Sequence, residues 1–208
     1  MPDKVLTVIS LDAGFCNTGV VVTQYRPPSN TTPGDMNLPA CWVVVHHSCI
    51  TTAKESERRH IYATDDKVRR VREIYGPLRE LMRSYSPSLI VAELPLSGGK
   101  SAAAHASMAM AITICACLSE EFLAPLRNYN WDDIKLAATN SRNAGKVEVQ
   151  SAIARLYPDV ARAYINPRKK TGYMDDMEHV SDALGAWLCA RDCDVVKALI
   201  KQYEVSNG

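Results

Sequence analysis

The sequence VLTVISLDAGFCNTGVVVTQY, residues Val5–Tyr25, decides the fold. It holds two apolar runs rich in β-branched residues, joined by a short polar stretch around Gly14, and this pattern predicts a β-hairpin. The first run ends on Asp12. Because an unpaired buried carboxylate is costly, Asp12 either binds a cation or caps the turn. The hairpin alone leaves both interpretations open.

The length and charge of the chain set broad limits. Its 208 residues suit one domain, spanning 1–208, with a core large enough to fold without disulfides. A formal net charge of +1 neither favours nor excludes nucleic acid. From Pro125 onward, however, many basic residues precede the acidic cluster Asp175, Asp176 and Glu178. A basic surface around an acidic centre is typical of proteins that process polyanions.

The sequence disfavours several other classes of protein. We expect no membrane contact, because no apolar run approaches the spanning length and the N-terminal residues do not form a signal peptide. The expected location is therefore the cytoplasm or the DNA compartment of the cell. Seven cysteines without a C-x-x-C pair indicate reduced thiols. The spacing of Cys41, His46, His47 and Cys49 matches no common structural zinc site, and this segment is predicted to be a strand.

A second carboxylate is predicted to lie beside Asp12. The apolar spacing from Glu57 to Tyr85 predicts an amphipathic helix that Gly76-Pro77 should kink or split. A short buried strand, Leu89–Ala92, follows and ends on Glu93. A strand reached through a helix runs parallel to its neighbour, so the two acids should meet at the carboxyl edge of the sheet. Two carboxylates at such a short distance repel each other unless a cation or proton lies between them.

The remaining elements follow from apolar spacing and turn residues. They are helix Ser101–Leu118, strand Leu123–Tyr129, helices Trp131–Ala138 and Lys146–Tyr157, the basic loop Asn166–Gly172, and helix Asp175–Arg191. In the last helix His179 and Asp182 share one face, and Asp175 joins it. Taken alone, such a pair is usually a surface feature. Next to a sheet edge that carries two carboxylates, it becomes a candidate pair of ligands.

These candidate side chains define a chemistry. Three carboxylates and one imidazole suit Mg²⁺ or Mn²⁺, with positions left for water and phosphate. Two such ions about 4 Å apart bind the attacking and leaving oxygens of an in-line phosphoryl displacement. The sequence therefore predicts a site for divalent-metal phosphodiester hydrolysis.

Four segments together resemble the RuvC-type Holliday-junction resolvases, a branch of the ribonuclease H-like nucleases. They are LDAGFCNTG with Asp12, LIVAELPL with Glu93, AGKVEVQ with Lys146, and HVSDALGAW with His179 and Asp182. The resemblance implies an α/β, ribonuclease H-like fold, in which a five-stranded mixed sheet has its first three strands antiparallel and its last two parallel, flanked by helices. It also implies a homodimeric endodeoxyribonuclease that cuts four-way junctions by paired nicks and leaves 5′-phosphate ends.

The same resemblance assigns roles to individual residues. Asp12, Glu93, His179 and Asp182 would hold two Mg²⁺ ions, with Mn²⁺ also accepted, and Lys146 would be a catalytic or phosphate-contacting base. The further candidates for contact with branched DNA are basic residues, namely Lys100, Lys135, Arg168, Lys169 and Lys170.

Two positions depart from the family pattern. Leu96 stands where family members commonly carry an aromatic residue thought to enter the junction. His179 stands where many members have Asp. A neutral imidazole is a softer ligand than a carboxylate, so this exchange should make Mn²⁺ relatively more acceptable.

Alternative functions remain open at the level of sequence. A broader endonuclease for flaps and forks would use the same site. An actin-like or sugar-kinase-type ATPase also begins with D-x-G followed by T-G, but it needs a second phosphate motif that is not seen here. A related 3′–5′ exonuclease would carry an acid where Gly14 stands. A non-catalytic binder of DNA structures would not need the intact acids.

Overall fold

The computed structural model describes residues 5–27, 41–55, 62–94 and 101–207. Five strands form one sheet in the order β3-β2-β1-β4-β5. The strands are β1 Thr7–Ala13, β2 Asn17–Tyr25, β3 Trp42–Thr51, β4 Leu89–Glu93 and β5 Leu126–Tyr129. The first three are antiparallel to their neighbours, and β4 and β5 run parallel to β1. The predicted five-stranded mixed sheet, with three antiparallel strands followed by two parallel ones, is confirmed.

Helices cover both faces of this sheet. They are α1 Ala63–Tyr85, α2 Ala102–Phe122, α3 Trp131–Thr139, α4 Lys146–Leu156, α5 Pro158–Arg162, α6 Asp176–Arg191 and α7 Asp194–Asn207. On one face Val8 and Val21 pack in a core with Trp187 of α6. On the other, Ile9 and Leu11 pack in a core with residues of α1 and α2. Strand β1 is therefore buried on both sides, which explains its continuous apolar run.

Glycine at position 19 lets α6 lie directly on the sheet. A Cβ at Gly19 would lie 2.0 Å from the backbone carbonyl oxygen of His179, so no side chain fits there. Because Gly19 is the register partner of Asp12, this close approach brings the start of α6 next to the end of β1. The sequence Thr18-Gly19 thus serves the contact between helix and sheet as well as the hairpin.

A kink or a split was predicted at Gly76-Pro77, and the split does not occur, because helix α1 is continuous through Pro77. Proline removes one hydrogen bond, the one that would reach the carbonyl of Glu73. Both Glu73 and Pro77 lie on the exposed side of α1, where water can satisfy that carbonyl. The buried side, which includes Ile74 and Leu78, holds the helix against the sheet.

From the sequence we expect no apolar segment long enough to span a membrane, and helix α2 differs from that expectation. Its 21 residues, Ala102–Phe122, are enough in length and composition to cross a membrane, which is weak evidence by itself. The helix runs four residues beyond the predicted end at Leu118. Only 22% of its most apolar window is buried, so much of this helix presents small apolar side chains to solvent.

The cysteine and histidine segment of β3 forms no zinc site. His46 faces Tyr85, whereas the ring of His47 lies beside Tyr164, so the two imidazoles point to opposite faces of the sheet. Cys41 is buried, and none of the seven cysteines, all of which lie in the described ranges, forms a disulfide, which agrees with the prediction of reduced thiols. Among the described residues, no group of three or more His, Cys, Asp and Glu is arranged to hold a metal ion.

Candidate active site

Two carboxylates end neighbouring parallel strands. Asp12 of β1 and Glu93 of β4 are direct register partners, at the carboxyl edge of the sheet. Neighbouring strands lie about 4.8 Å apart, so the two side chains share one small region. This is the juxtaposition that the sequence predicted from a helical crossover.

Helix α6 adds an imidazole and a third carboxylate. The Nδ1 atom of His179 lies 2.7 Å from Oδ2 of Asp12, within hydrogen-bond distance. Asp182, one turn further along α6, is 8% exposed. Asp12 and Glu93 lie near enough for their charges to add to the effect of burial on the pKa of Asp182. All four predicted side chains are therefore brought to the same edge of the sheet.

Burial and mutual repulsion dominate the electrostatics of this cluster. Burial first, and then the charge of Asp12, raise the pKa of Glu93 to about 7. Burial, followed by the charges of Asp12 and Glu93, raises the pKa of Asp182 to about 8. The hydrogen bond to Asp12 raises the pKa of His179, although burial opposes this. The cluster therefore favours bound protons or a bound cation over three bare carboxylates.

Lys146 begins α4 and reaches the same cluster. Its Nζ atom lies 2.6 Å from Oε1 of Glu178 and 3.9 Å from Oδ2 of Asp182. Burial disfavours the charged ammonium, but the hydrogen bond to Glu178 and the charge of Asp182 outweigh it and raise the pKa of Lys146. Lys146 is therefore a cation that stays protonated near neutral pH, and it is suited to contact phosphate.

Sequence reasoning missed the part played by Glu178. This residue was assigned to an acidic cluster with no partner of its own, yet its carboxylate is the closest partner of Lys146. Asp175 was placed on the face of His179 and Asp182, and this is wrong. It precedes α6, is exposed, and lies 2.8 Å from the ammonium of Lys169.

The predicted DNA contacts lie in different environments. The ammonium of Lys135 lies 3.1 Å from Asp132 and above the ring of Trp131. Arg168 and Lys170 are exposed and have no ion pair within the described ranges. Lys100, like Leu96, lies outside the described residues.

The two ends of the loop that carries Arg168 and Lys170 are joined to each other and held against the sheet. A β-bridge joins Ile165 to Tyr173. The hydroxyl of Tyr164 lies 3.0 Å from Nδ1 of His47 on β3. The basic loop therefore projects from the same side of the sheet as α6.

Solved structures identify the class of fold. RuvC of T. thermophilus, in complex with a Holliday junction substrate, superposes with a TM-score of 0.62 and 17% identity over 88% of this chain and 92% of that one. A second Thermus thermophilus RuvC structure gives a TM-score of 0.58 at the same identity and coverage. The Ppx/GppA family member of Aquifex aeolicus superposes with a TM-score of only 0.35, at 11% identity over 70% of this chain and 40% of that one. This TM-score is too low to indicate a shared fold.

No protein-family model and no curated protein matches the sequence. The chain therefore has a RuvC-like fold of the ribonuclease H-like α/β class, recognised from its three-dimensional structure.

Proposed function

We propose that this protein is a metal-dependent, structure-selective endodeoxyribonuclease that resolves four-way DNA junctions by paired nicks and leaves 5′-phosphate ends. One observation carries the proposal. Asp12, Glu93, His179 and Asp182 meet at the carboxyl edge of a RuvC-like sheet, with the cation of Lys146 beside them. In α/β folds this edge is where ligands bind. The protein would work wherever branched DNA forms, in the cytoplasm or the DNA compartment of the cell.

The chemistry of the donor set supports a divalent cation, although no three of the described His, Cys, Asp and Glu side chains are arranged to hold one as they stand, so these side chains would move closer together when an ion binds. Carboxylate oxygens and one imidazole are ligands of Mg²⁺ and Mn²⁺. Burial first, and then the neighbouring carboxylates, raise the pKa values of Glu93 and Asp182, so the cluster disfavours a full set of negative charges and a bound cation would stabilise it. We assign Asp12, Glu93, His179 and Asp182 as the residues that hold two such ions. When bound, these ions supply an activated water and stabilisation of the departing 3′-oxygen.

The residues of the chain itself bind and orient the DNA. Lys146 presents a protonated ammonium next to Asp182, where it can contact a phosphate oxygen at the scissile bond. Phosphate would compete with Glu178 for this ammonium, because both are acceptors for the same donor. Arg168 and Lys170, exposed on the basic loop, are suited to contact the backbone further away.

Paired nicks require two active sites, so the proposal includes a homodimer. The exposed apolar side of α2 offers a surface that a second copy would cover, and Ala109, Ile112 and Ala116 lie on it. Such a surface is otherwise unusual on a monomer.

A comparison of DNA substrates tests the proposal. Purified protein with Mg²⁺ is given four-way junctions, flaps, replication forks and linear duplex side by side, and the products are mapped on both strands. We expect symmetric paired nicks confined to the four-way junction. The Asp12→Asn variant should lose cleavage but keep junction binding. Binding of junctions without cleavage by the wild-type protein, in Mg²⁺ or Mn²⁺, would contradict the assignment as a nuclease.

A broader branched-DNA endonuclease is the second candidate. It is favoured by Leu96, which stands where an aromatic residue would help to open a four-way junction. Comparable cutting of flaps and forks in the same assay would support this alternative.

A further inference from the structure

We infer that Arg70 is a positioning residue for the active site, because its buried guanidinium fixes the β1–β2 turn that follows Asp12. This inference rests on the proposed function, in which Asp12 acts at the site of cleavage. Arg70 lies on α1, 55 positions along the chain from Phe15 in that turn. It is 7% exposed, so it cannot contact DNA directly.

Three hydrogen bonds connect Arg70 to the turn, residues 14–16, and to its support. Nη2 donates to the carbonyl of Phe15 at 2.9 Å and contacts the Sγ of Cys16 at 3.1 Å. Nε donates to the hydroxyl of Thr52 at 3.0 Å. The guanidinium also lies over the ring of Phe15, with its central carbon 4.3 Å from the ring centroid. The planar, five-donor geometry of arginine is what makes several simultaneous contacts possible.

Thr52 completes this network from the end of β3. Its hydroxyl donates to the carbonyl of Phe15 at 2.7 Å, and its backbone N–H donates to the carbonyl of Cys16 at 2.7 Å. Thr52 is 4% exposed. The turn is therefore held by α1 and β3 together, from outside the hairpin to which it belongs.

The charge of Arg70 has no ion pair in the parts of the chain that the structure describes. Burying a guanidinium against carbonyls, a hydroxyl, a thiol and a ring costs free energy that an apolar side chain would avoid. Two of these contacts fall on Phe15 and Cys16, directly after β1, and the third falls on Thr52, which itself bonds to the same two residues. The backbone N–H of Gly14 also bonds back to the carbonyl of Asp12 at 3.0 Å, so a shift of the turn is passed directly to Asp12.

The test compares two arginines of α1. The Arg70→Met variant keeps an unbranched apolar stem but loses every donor. On a four-way junction with Mg²⁺ we expect its kcat to fall by at least about tenfold, because small displacements of reacting groups are costly. Its KM should stay within about threefold, because the residue does not touch DNA. The control is Arg79→Met, since Arg79 bonds to Glu121 of α2 and is remote from the turn, and its kcat should be unchanged.

A second variant keeps the inference testable if Arg70→Met does not fold. Arg70→Lys keeps the charge and one donor group, so it should fold and show a kcat between those of the wild type and of Arg70→Met. Wild-type kcat in Arg70→Lys, or an equal loss of kcat in Arg79→Met, would refute the positioning role. So would a loss in Arg70→Met that appears in KM instead of kcat.

A chemical readout separates this inference from the nuclease proposal. Alkylation of Cys16 by iodoacetamide is followed by peptide mass spectrometry, with exposed Cys117 of α2 as internal reference. Loss of the Arg70 guanidinium should lower the rate at Cys16 by at least about threefold, because Cys16 is already exposed and a neighbouring cation favours the thiolate that iodoacetamide attacks. If the wild-type protein cuts no DNA, the nuclease proposal fails, and the Cys16 rate alone decides the role of Arg70. An unchanged rate would then overturn the inference.

Discussion

At the scale of single residues, the raised pKa values of Glu93 and Asp182 predict that stability depends on pH and, if the proposed metal site is occupied, on divalent ions. Their pKa values in the folded protein, about 7 and about 8, lie above those of the unfolded chain. Folding therefore favours their protonated forms. This stabilisation is complete below the unfolded values and is lost as the pH rises through about 7 and about 8. The raised pKa of His179 acts in the same direction.

We therefore expect metal-free protein to become less stable between about pH 5.5 and about pH 8.5. The loss should exceed about 1 kcal/mol, which lowers Tm by roughly 2–4 °C in a chain of this size. Thermal unfolding in EDTA measures it. Added Mn²⁺ should restore Tm mainly at the higher pH, where the carboxylates are ionised.

The double variant Glu93→Gln, Asp182→Asn serves as the control for this prediction. Because neither side chain can then ionise, most of the pH dependence should disappear, and so should the effect of Mn²⁺. A Tm that rises with pH in the metal-free wild type would show that these carboxylates are not mutually destabilising.

His179 should set the preference between metals. Imidazole is softer than carboxylate, so the wild-type protein should use Mn²⁺ relatively well, and His179→Asp should shift the ratio of the Mn²⁺ and Mg²⁺ cleavage rates towards Mg²⁺ by about threefold or more. Single-turnover cleavage of a four-way junction in each metal measures the ratio. Equal cleavage rates in Mn²⁺ and Mg²⁺ for the wild type, with the same ratio in His179→Asp, would contradict the prediction.

At the scale of elements, the site depends on how closely α6 approaches the sheet. Gly19→Ala would place a methyl carbon 2.0 Å from the carbonyl oxygen of His179, and backbone cannot move aside cheaply. We expect a loss of at least about 2 kcal/mol in the free energy of unfolding, as overpacking of a core typically produces. Cleavage should fall further than stability predicts, because His179 and Asp182 move together with α6. Urea unfolding and cleavage assays at a temperature where the variant is folded test both parts.

Gly76→Ala is the matched control. Apart from its chain neighbours, its Cβ would meet nothing within 4 Å, in the interior of α1. Alanine should change stability by less than about 1 kcal/mol and leave cleavage unchanged, because its higher helix propensity is opposed by contact of its Cβ with the ring of Pro77. Equal effects at the two glycines would mean that the contact between Gly19 and α6 does not matter.

The elements that carry the site were predictable because each has a local signal. The hairpin showed apolar runs around a glycine turn, and β4 showed a short apolar run ending on Glu93. The crossover rule then placed Glu93 beside Asp12, as the register confirms. The spacing of His179 and Asp182 gave their shared face on α6.

Other features have no local signal in the sequence. Arg70 and Glu178 appear as ordinary charges on helices, and only tertiary contact gives them their partners. The tertiary role of α7 was also missed, although its aromatic Tyr203 packs against Tyr25 of β2. Ion pairs along a helix and contacts between distant elements look alike in a sequence, which explains these omissions.

At the scale of the whole molecule, α2 is where we propose that a second copy of the chain binds. Its exposed side is apolar, with Ile112 38% exposed between Ala109 and Ala116. A stable interface covers about 800 Å² on each partner, and a long helix that pairs with its symmetry copy can supply much of this area. We expect light scattering on a size-exclusion column to give twice the chain mass of 22.9 kDa.

A charged residue on the apolar side of α2 should abolish dimer formation without abolishing DNA cleavage by each chain. Ile112→Glu introduces a carboxylate into the proposed interface, where it would be desolvated without a partner, so the dimer should dissociate. The monomer should then nick a junction on one strand without the symmetric second cut, because each chain keeps its own Asp12 and Glu93.

The control is Val68→Glu on α1, where an apolar residue of similar exposure lies outside α2. A dimer that persists in Ile112→Glu would place the interface elsewhere. Binding of the wild-type protein to lipid vesicles, lost in this variant, would instead assign the apolar side of α2 to a membrane surface.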